Sequence, residues 1–270
     1  MKFKSYCWVA GGVVVLVGLV VLSGNWSSTT IPSTPIREKN LIAMRDLKAT
    51  VREDSSGGLV EVWFQDPVAL ADMGHDPREL ADSDLELVEP FGELQRLTLS
   101  GTAISNAGLQ HIRGLVRLES LDLSHTAITG EGLQELKNMH RLHELKLVGI
   151  PMDDEQLSVL LEIGELYNLS LSHSRVSDAG LATLGKLTAL EKLYIGDLAI
   201  TDAGMQHLSL MASLRNVTFH NVPITDASVV HLSELTQLRY LCLRNTAISE
   251  RGAAMIDGAL PNCTVNWIMD

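Results

Sequence analysis

Hydrophobic positions along the chain fall into two regimes. From Trp8 to Leu22 they run almost without interruption, as Val, Leu, Gly and Ala, behind Lys2 and Lys4. From residue 83 onward they recur on a lattice: Leu97, Leu121, Leu145, Leu169, Leu193, Val217 and Leu241 stand 24 residues apart without slippage. Around each lies one frame, seen in Leu94, Leu97, Leu99, Thr102 and Ile104, followed by Ser105, Gly108, Leu109, Ile112 and Leu115. Leu97 and Leu99 alternate as a short strand requires, whereas Leu109, Ile112 and Leu115 recur every three residues, as one face of a helical turn would. Ser105 and its equivalents Thr129, Asp153, Ser177, Thr201, Thr225 and Ser249 are all good helix N-caps. The next residue is often acidic (Asp154, Asp178, Asp202, Asp226, Glu250), where a carboxylate is expected to meet the positive end of the helix dipole. Each unit therefore predicts strand, turn and helix. One such unit cannot bury its apolar face alone, so the units are expected to stack into a solenoid of parallel strands inside and helices outside.

The frame resembles the leucine-rich repeat family, whose L-x-x-L-x-L-x-x-N/C-x-L signature and 20 to 29 residue period it matches over residues 83–265. The Gly-Leu start of the helical part is similar to F-box-associated and predicted bacterial envelope members of that family. The resemblance implies an α/β leucine-rich repeat solenoid, a horseshoe or arc with strands on the concave face and helices on the convex face. It also implies a non-enzymatic scaffold that binds protein. The chain departs from the family at the ninth signature position, which holds Thr102, Thr126, Ser174 and Thr246 but also Ile150, Leu198 and Val222. A continuous side-chain ladder to the turn backbone is therefore expected to be interrupted in the middle.

The ends of an open solenoid need protection. Upstream, Ala49-Thr-Val51 and Leu59 to Phe64, around Ser55-Ser-Gly-Gly58, predict a hairpin over residues 46–82 that caps the first repeat. Leu85, Val88, Phe91 and Leu94 follow as a helical half-repeat without a matching 24-residue strand frame. Downstream, Val265 falls 24 residues after Leu241 and begins one more strand, Trp267 is placed to cover the last edge, and residues 266–270 are expected to be a tail. Residues 25–45, rich in Ser, Thr and Pro at their start, are expected to be a stalk.

Residues 1–24 are read as membrane-directed. The 15-residue apolar core sits at the upper end of a signal-peptide h-region, while Tyr6 to Ser23, 18 residues, reaches the lower end of a spanning helix. Val21-Leu-Ser23 offers small residues for cleavage, whereas Trp8 and Trp26 stand where interfacial aromatics would hold an uncleaved signal-anchor, the reading we favour. The two lysines place the repeats outside the cytoplasm, membrane-anchored, or secreted if the segment is removed. The alternative, an intracellular adaptor recruiting substrates for ubiquitin transfer, lacks a three-helix adaptor module in residues 25–82.

Composition narrows the chemistry. Leucine supplies 44 of 270 residues and Trp, Tyr and Phe only 4 each, so the core is aliphatic. A net charge of −12 is the wrong sign for a phosphate-binding surface and stacking platforms are scarce, which disfavours nucleic acid. No P-loop, G-x-S-x-G, H-E-x-x-H, C-x-x-C or EF-hand pattern occurs, so no catalytic residue, metal or cofactor is expected and no small-molecule substrate. His140-Arg-Leu-His143-Glu144 has the wrong order for a zinc helix, and Asp153-Asp-Glu155 is explained by capping rather than calcium. The three cysteines make no disulfide framework: Cys7 lies in the membrane segment, Cys242 is expected to point outward, and Cys263 is offset from it. If alternate strand residues face the concavity, its C-terminal half concentrates Lys192, Tyr194, His220, Tyr240 and Arg244. Tyr and Arg are enriched at binding hot spots, so these five are the candidate contacts for a protein partner.

Overall fold

The computed structural model describes residues 35–47, 49–64 and 80–269. The chain divides into two units, Met1–Ile31 and Pro32–Asp270. The first unit, which includes the segment expected to be membrane-directed, lies outside the described residues, as does the segment 65–79. Among the described residues no helix is long and apolar enough to cross a membrane.

The second unit is built on a single sheet whose strands follow chain order. These are β1 (Thr50–Glu53), β2 (Leu59–Trp63), β3 (Arg96–Thr98), β4 (Ser120–Asp122), β5 (Glu144–Val148), β6 (Asn168–Ser172), β7 (Lys192–Gly196), β8 (Asn216–His220), β9 (Tyr240–Arg244) and β10 (Thr264–Ile268). Only β1 and β2 run antiparallel; every later pair is parallel. The lattice leucines pair directly across them: Leu97 with Leu121, Leu121 with Leu145, and so on to Leu241 with Val265. A repeat that never slips in sequence thus gives a sheet that never slips in register, because each step adds one strand and one return path of constant length. Leu97, Leu121, Leu145, Leu169, Val217 and Leu241 are buried, and the helical Leu109, Ile112, Leu115, Leu133, Leu136, Leu181 and Leu184 close the same core from the other side.

The return segments divide between 3₁₀ and α. Asp82–Leu87, Gly130–Leu136, Gln156–Leu161 and Asp202–Leu210 are 3₁₀, whereas Leu109–Ile112, Asp178–Leu184, Val229–Ser233 and Glu250–Ala259 are α. A three-residue apolar spacing fits three residues per turn, which in the 3₁₀ segment Gly130–Leu136 stacks Leu133 and Leu136 in one line toward the core.

The acidic residues after the caps do not serve mainly as dipole partners within their own unit. Asp154, Asp178, Asp202 and Asp226 reach forward to the next repeat, and Asp82 does so ahead of the first one. Asp82 accepts from the Ser105 amide at 2.7 Å and its hydroxyl at 2.5 Å. Asp154 does the same with Ser177 (2.8 and 2.6 Å), Asp178 with Thr201 (2.7 and 2.6 Å), Asp202 with Thr225 (2.8 and 2.7 Å) and Asp226 with Ser249 (2.8 and 2.7 Å). Asn106 staples Thr129 in the same way. The donors leave their mark on acidity. Hydrogen bonds from the Ser249 hydroxyl and amide hold the Asp226 carboxyl below the usual range. At Asp202 burial pushes upward, but donation from Ser228 and Thr225 outweighs it and the carboxyl is also lowered.

Two sequence expectations about the ends require correction. The stalk over 25–45 ends early, because Pro35–Asp46 forms helix α1. Met44 is fully buried, Asn40 donates to the Leu87 carbonyl at 3.1 Å, and Arg37 pairs with Glu93 at 2.9 Å over the Phe91 ring. Spacing of Asn40 and Met44 by four residues puts both on one helical face, a signal too short to stand out beside the Ser/Thr/Pro run. The half-repeat at Leu85 to Leu94 has no strand on the 24-residue frame, as expected: β2 pairs in parallel with β3 through Val62 and Leu97, 35 residues apart. Finally, 266–268 are not tail: Asn266, Trp267 and Ile268 pair with Cys242, Leu243 and Arg244, and the Trp267 indole N–H donates to the Ile248 carbonyl at 2.9 Å.

The ladder expected at the ninth signature position takes another form. Thr102 and Thr126 donate back to their own strands, to the Leu99 and Leu123 carbonyls at 2.7 Å each, so the hydroxyls close turns and do not link repeats. Apolar Ile150, Leu198 and Val222 can therefore enter the core without breaking a chain of bonds.

Candidate binding surface

Strand pairing arranges the outward side chains of the second half into three rows. The first row reads Asn168, Lys192, Asn216, Tyr240 and Thr264; the second, Ser170, Tyr194, Thr218, Cys242 and Asn266; the third, Ser172, Gly196, His220, Arg244 and Ile268. The five candidate residues thus lie on three adjacent strands, though not in one cluster. Lys192 and Tyr240 flank Asn216 at the strand starts, and His220 and Arg244 stand side by side at the strand ends. Tyr194 bridges the two, with its hydroxyl lying 3.1 Å from where a Cβ on Gly196 would be. The missing side chain at 196 gives the phenol its place.

Lys192 and Arg244 are exposed, while Tyr194, His220 and Tyr240 are half-buried. Burial raises the Tyr194 phenol above its ordinary value, Asp197 adds to this and Arg244 opposes it, so the group stays a neutral donor. Tyr240 accepts from the Asn266 amide at 3.2 Å, which fixes its ring against the last strand. Cys242 stands in the outward row as expected but is buried, a small thiol among longer neighbours; both it and Cys263 are free thiols. Burial raises the Cys263 thiol.

The rim beyond the third row carries a feature that the strand pattern alone did not reveal. A residue of positive φ follows each strand from β3 to β9, three positions on after β3 and β4 (Gly101, His125) and at once after β5 to β9 (Gly149, His173, Asp197, Asn221, Asn245). Where glycine is absent the position holds His, Asp or Asn, the types that tolerate the left-handed region best. The 24-residue spacing of these residues was the available signal. At this rim Asp197 accepts from the Asn221 amide at 2.8 Å, with His173 Nδ1 at 3.1 Å and His220 Nδ1 at 3.6 Å from its other oxygen.

Charge is distributed unequally over the strand face. In the first half the ions are mutually engaged: Glu61 with Arg52 and Arg96, and Lys146 with Asp122 (3.6 Å) and Glu144 (3.9 Å). Among the described residues, no group of three or more His, Cys, Asp and Glu is arranged to hold a metal ion. Asp153 and Asp154 of the acidic run are engaged with Gln156 and Ser177.

A leucine-rich repeat family profile matches residues 118–137. Comparison with curated proteins gives no significant match. Among solved structures, an internalin C2 from Listeria monocytogenes is similar at a TM-score of 0.54 and 20% identity, over 69% of this chain and 75% of that one. A second internalin from the same organism gives 0.47 and 21%, over 69% and 66% respectively. The profile match, the 24-residue lattice and the parallel sheet together support a leucine-rich repeat family for this chain.

Proposed function

We propose that the protein is a non-enzymatic binding scaffold whose strand face, over β7 to β9, contacts a protein partner. The observation that carries this reading is the placement of Lys192, Tyr194, His220, Tyr240 and Arg244 on three consecutive hydrogen-bonded strands. Each side chain is held by a backbone that cannot shift without disturbing its neighbours. Aromatic rings with few torsions lose little entropy on binding, and Tyr and Arg are enriched at interface hot spots. The repeats are proposed to be presented outside the cytoplasm, tethered by residues 1–24, a reading supported by the apolar run behind Lys2 and Lys4.

Affinity capture with the full chain in detergent, followed by titration of the captured partner, tests the binding surface. Tyr194→Ala with Tyr240→Ala is expected to weaken affinity at least tenfold while leaving the unfolding midpoint of the repeats nearly in place. Unchanged affinity removes this surface as the site. Protease accessibility of the repeats in intact cells tests their location, and full protection rejects it.

A further inference from the structure

We infer that the outer edge of β10 is an interface for a second copy of this chain, paired antiparallel about a two-fold axis at Asn266. β10 is last in the sheet order, and among the described residues no strand lies beyond it. Its even-numbered residues face β9: the Thr264 amide donates to the Arg239 carbonyl and the Ile268 carbonyl accepts from the Asn245 amide, both at 2.9 Å. In a parallel ladder the alternate residues, Val265 and Trp267, then turn their N–H and C=O groups outward. Such a row is a template for another strand unless charge, proline or a bulge blunts it.

The two ends of the sheet differ in this respect. β1 carries Arg52 and Glu53, with the register shifting between them, so its edge is charged and irregular. β10 contains no charged residue, proline or register shift. Ile268 and Met269 are exposed, and Val265 and Trp267 are only partly buried against the core. A terminal repeat that stays single needs a polar outer face, which this end lacks. Contact of β10 with the β1 edge of another copy would propagate without closing, whereas pairing of β10 with itself closes at two chains.

Centring the axis on Asn266 overlaps the whole strand. Val265 then exchanges both backbone hydrogen bonds with the partner's Trp267, and aliphatic meets indole on the core side. On the outward side Thr264 lies opposite the partner's Ile268, and Asn266 opposite the partner's Asn266, all uncharged. Each Asn266 amide gives one N–H to Tyr240 and has a second N–H and a carbonyl for its counterpart. The axis is normal to the sheet, so the outward rows of both copies share one side. Three steps of about 4.8 Å put the two β9 strands about 14 Å apart on that continuous face. The binding surface proposed above is thereby doubled, but the pairing stands whether or not that surface binds.

Sedimentation equilibrium of the full chain in detergent, over a range of chain concentrations, tests the inference. The wild type is expected to dimerise. Asn266→Lys and Asn266→Asp each set like charges opposite one another across the axis and are expected to weaken dimerisation at least about tenfold. Mixing the two variants is expected to restore the dimer, since Lys then meets Asp. A wild-type monomer at every concentration overturns the inference. So does a dimer that both variants leave intact, or a mixture that stays monomeric. If a charge at 266 alters the circular dichroism spectrum, Val265→Pro takes its place, because it removes an outward N–H that the sheet does not use. Val265→Pro is expected to be monomeric, and a Val265→Pro dimer of wild-type affinity overturns the pairing.

Discussion

At the scale of single residues, the glycines of the Gly-Leu step have a cause outside their own repeat. A Cβ on Gly108 would lie 2.5 Å from the Asp82 carboxylate, and one on Gly180, Gly204 or Gly252 would overlap Asp154, Asp178 or Asp226. Each glycine leaves room for the staple arriving from the preceding unit. Gly204→Ala is therefore expected to cost about 1–3 kcal/mol through overpacking, read as a lower urea midpoint. Gly258, in the helix Glu250–Ala259, has open space around it, so Gly258→Ala is expected to be neutral or stabilising by up to about 1 kcal/mol. Equal effects at the two sites would reject the steric account. The sequence displayed both glycines but could not tell them apart, because the clash comes from a side chain 26 positions earlier.

At the scale of the repeat, one junction between units departs from the pattern at three positions, and the structure makes them a single event. Position 130 is Gly where the other units stacked this way have Asp or Asn, so no staple reaches Asp153. Gln156, standing where most units have Gly, folds back instead: its carbonyl accepts from the Asp153 amide at 3.1 Å and its own amide donates to the Asp153 carboxylate at 3.3 Å. This local capping box replaces the missing link between units. Gly130→Asp alone is expected to be destabilising by more than about 1 kcal/mol, since its Cβ would overlap Gln156 and its charge would face Asp153. Adding Asp153→Ser and Gln156→Gly supplies a hydroxyl donor and clears the space. The triple variant is expected to regain the wild-type urea midpoint, whereas simple addition of the three single effects would mean that the positions are uncoupled.

For the repeat unit as a whole, stability depends on its two terminal edges. At the N-terminal side α1 covers Phe91 and the half-repeat with Met44 and Asn40, and β1 pairs with β2 to close the sheet. If α1 were only part of a stalk, shortening Met44 would change nothing. Met44→Ala is expected to lower stability by about 2–5 kcal/mol, as at other fully buried methionines, measured by chemical denaturation of the full chain. At the other end Trp267 and β10 extend the sheet beyond the last complete repeat. The face between these ends is where the proposed partner lies, so its cations and tyrosines are placed by the sheet register more than by contacts of their own.

The sequence by itself determined the period, the strand positions and the outward rows, because side chains alternate at fixed intervals and a constant repeat length admits one register. Lys192, Tyr194, His220, Tyr240 and Arg244 were legible for that reason. Only the tertiary structure decided where the acids point, why glycine follows them, what α1 covers and how Asp197 is engaged. Those facts depend on contacts between residues 23 or more positions apart, where spacing alone gives no direction to a side chain.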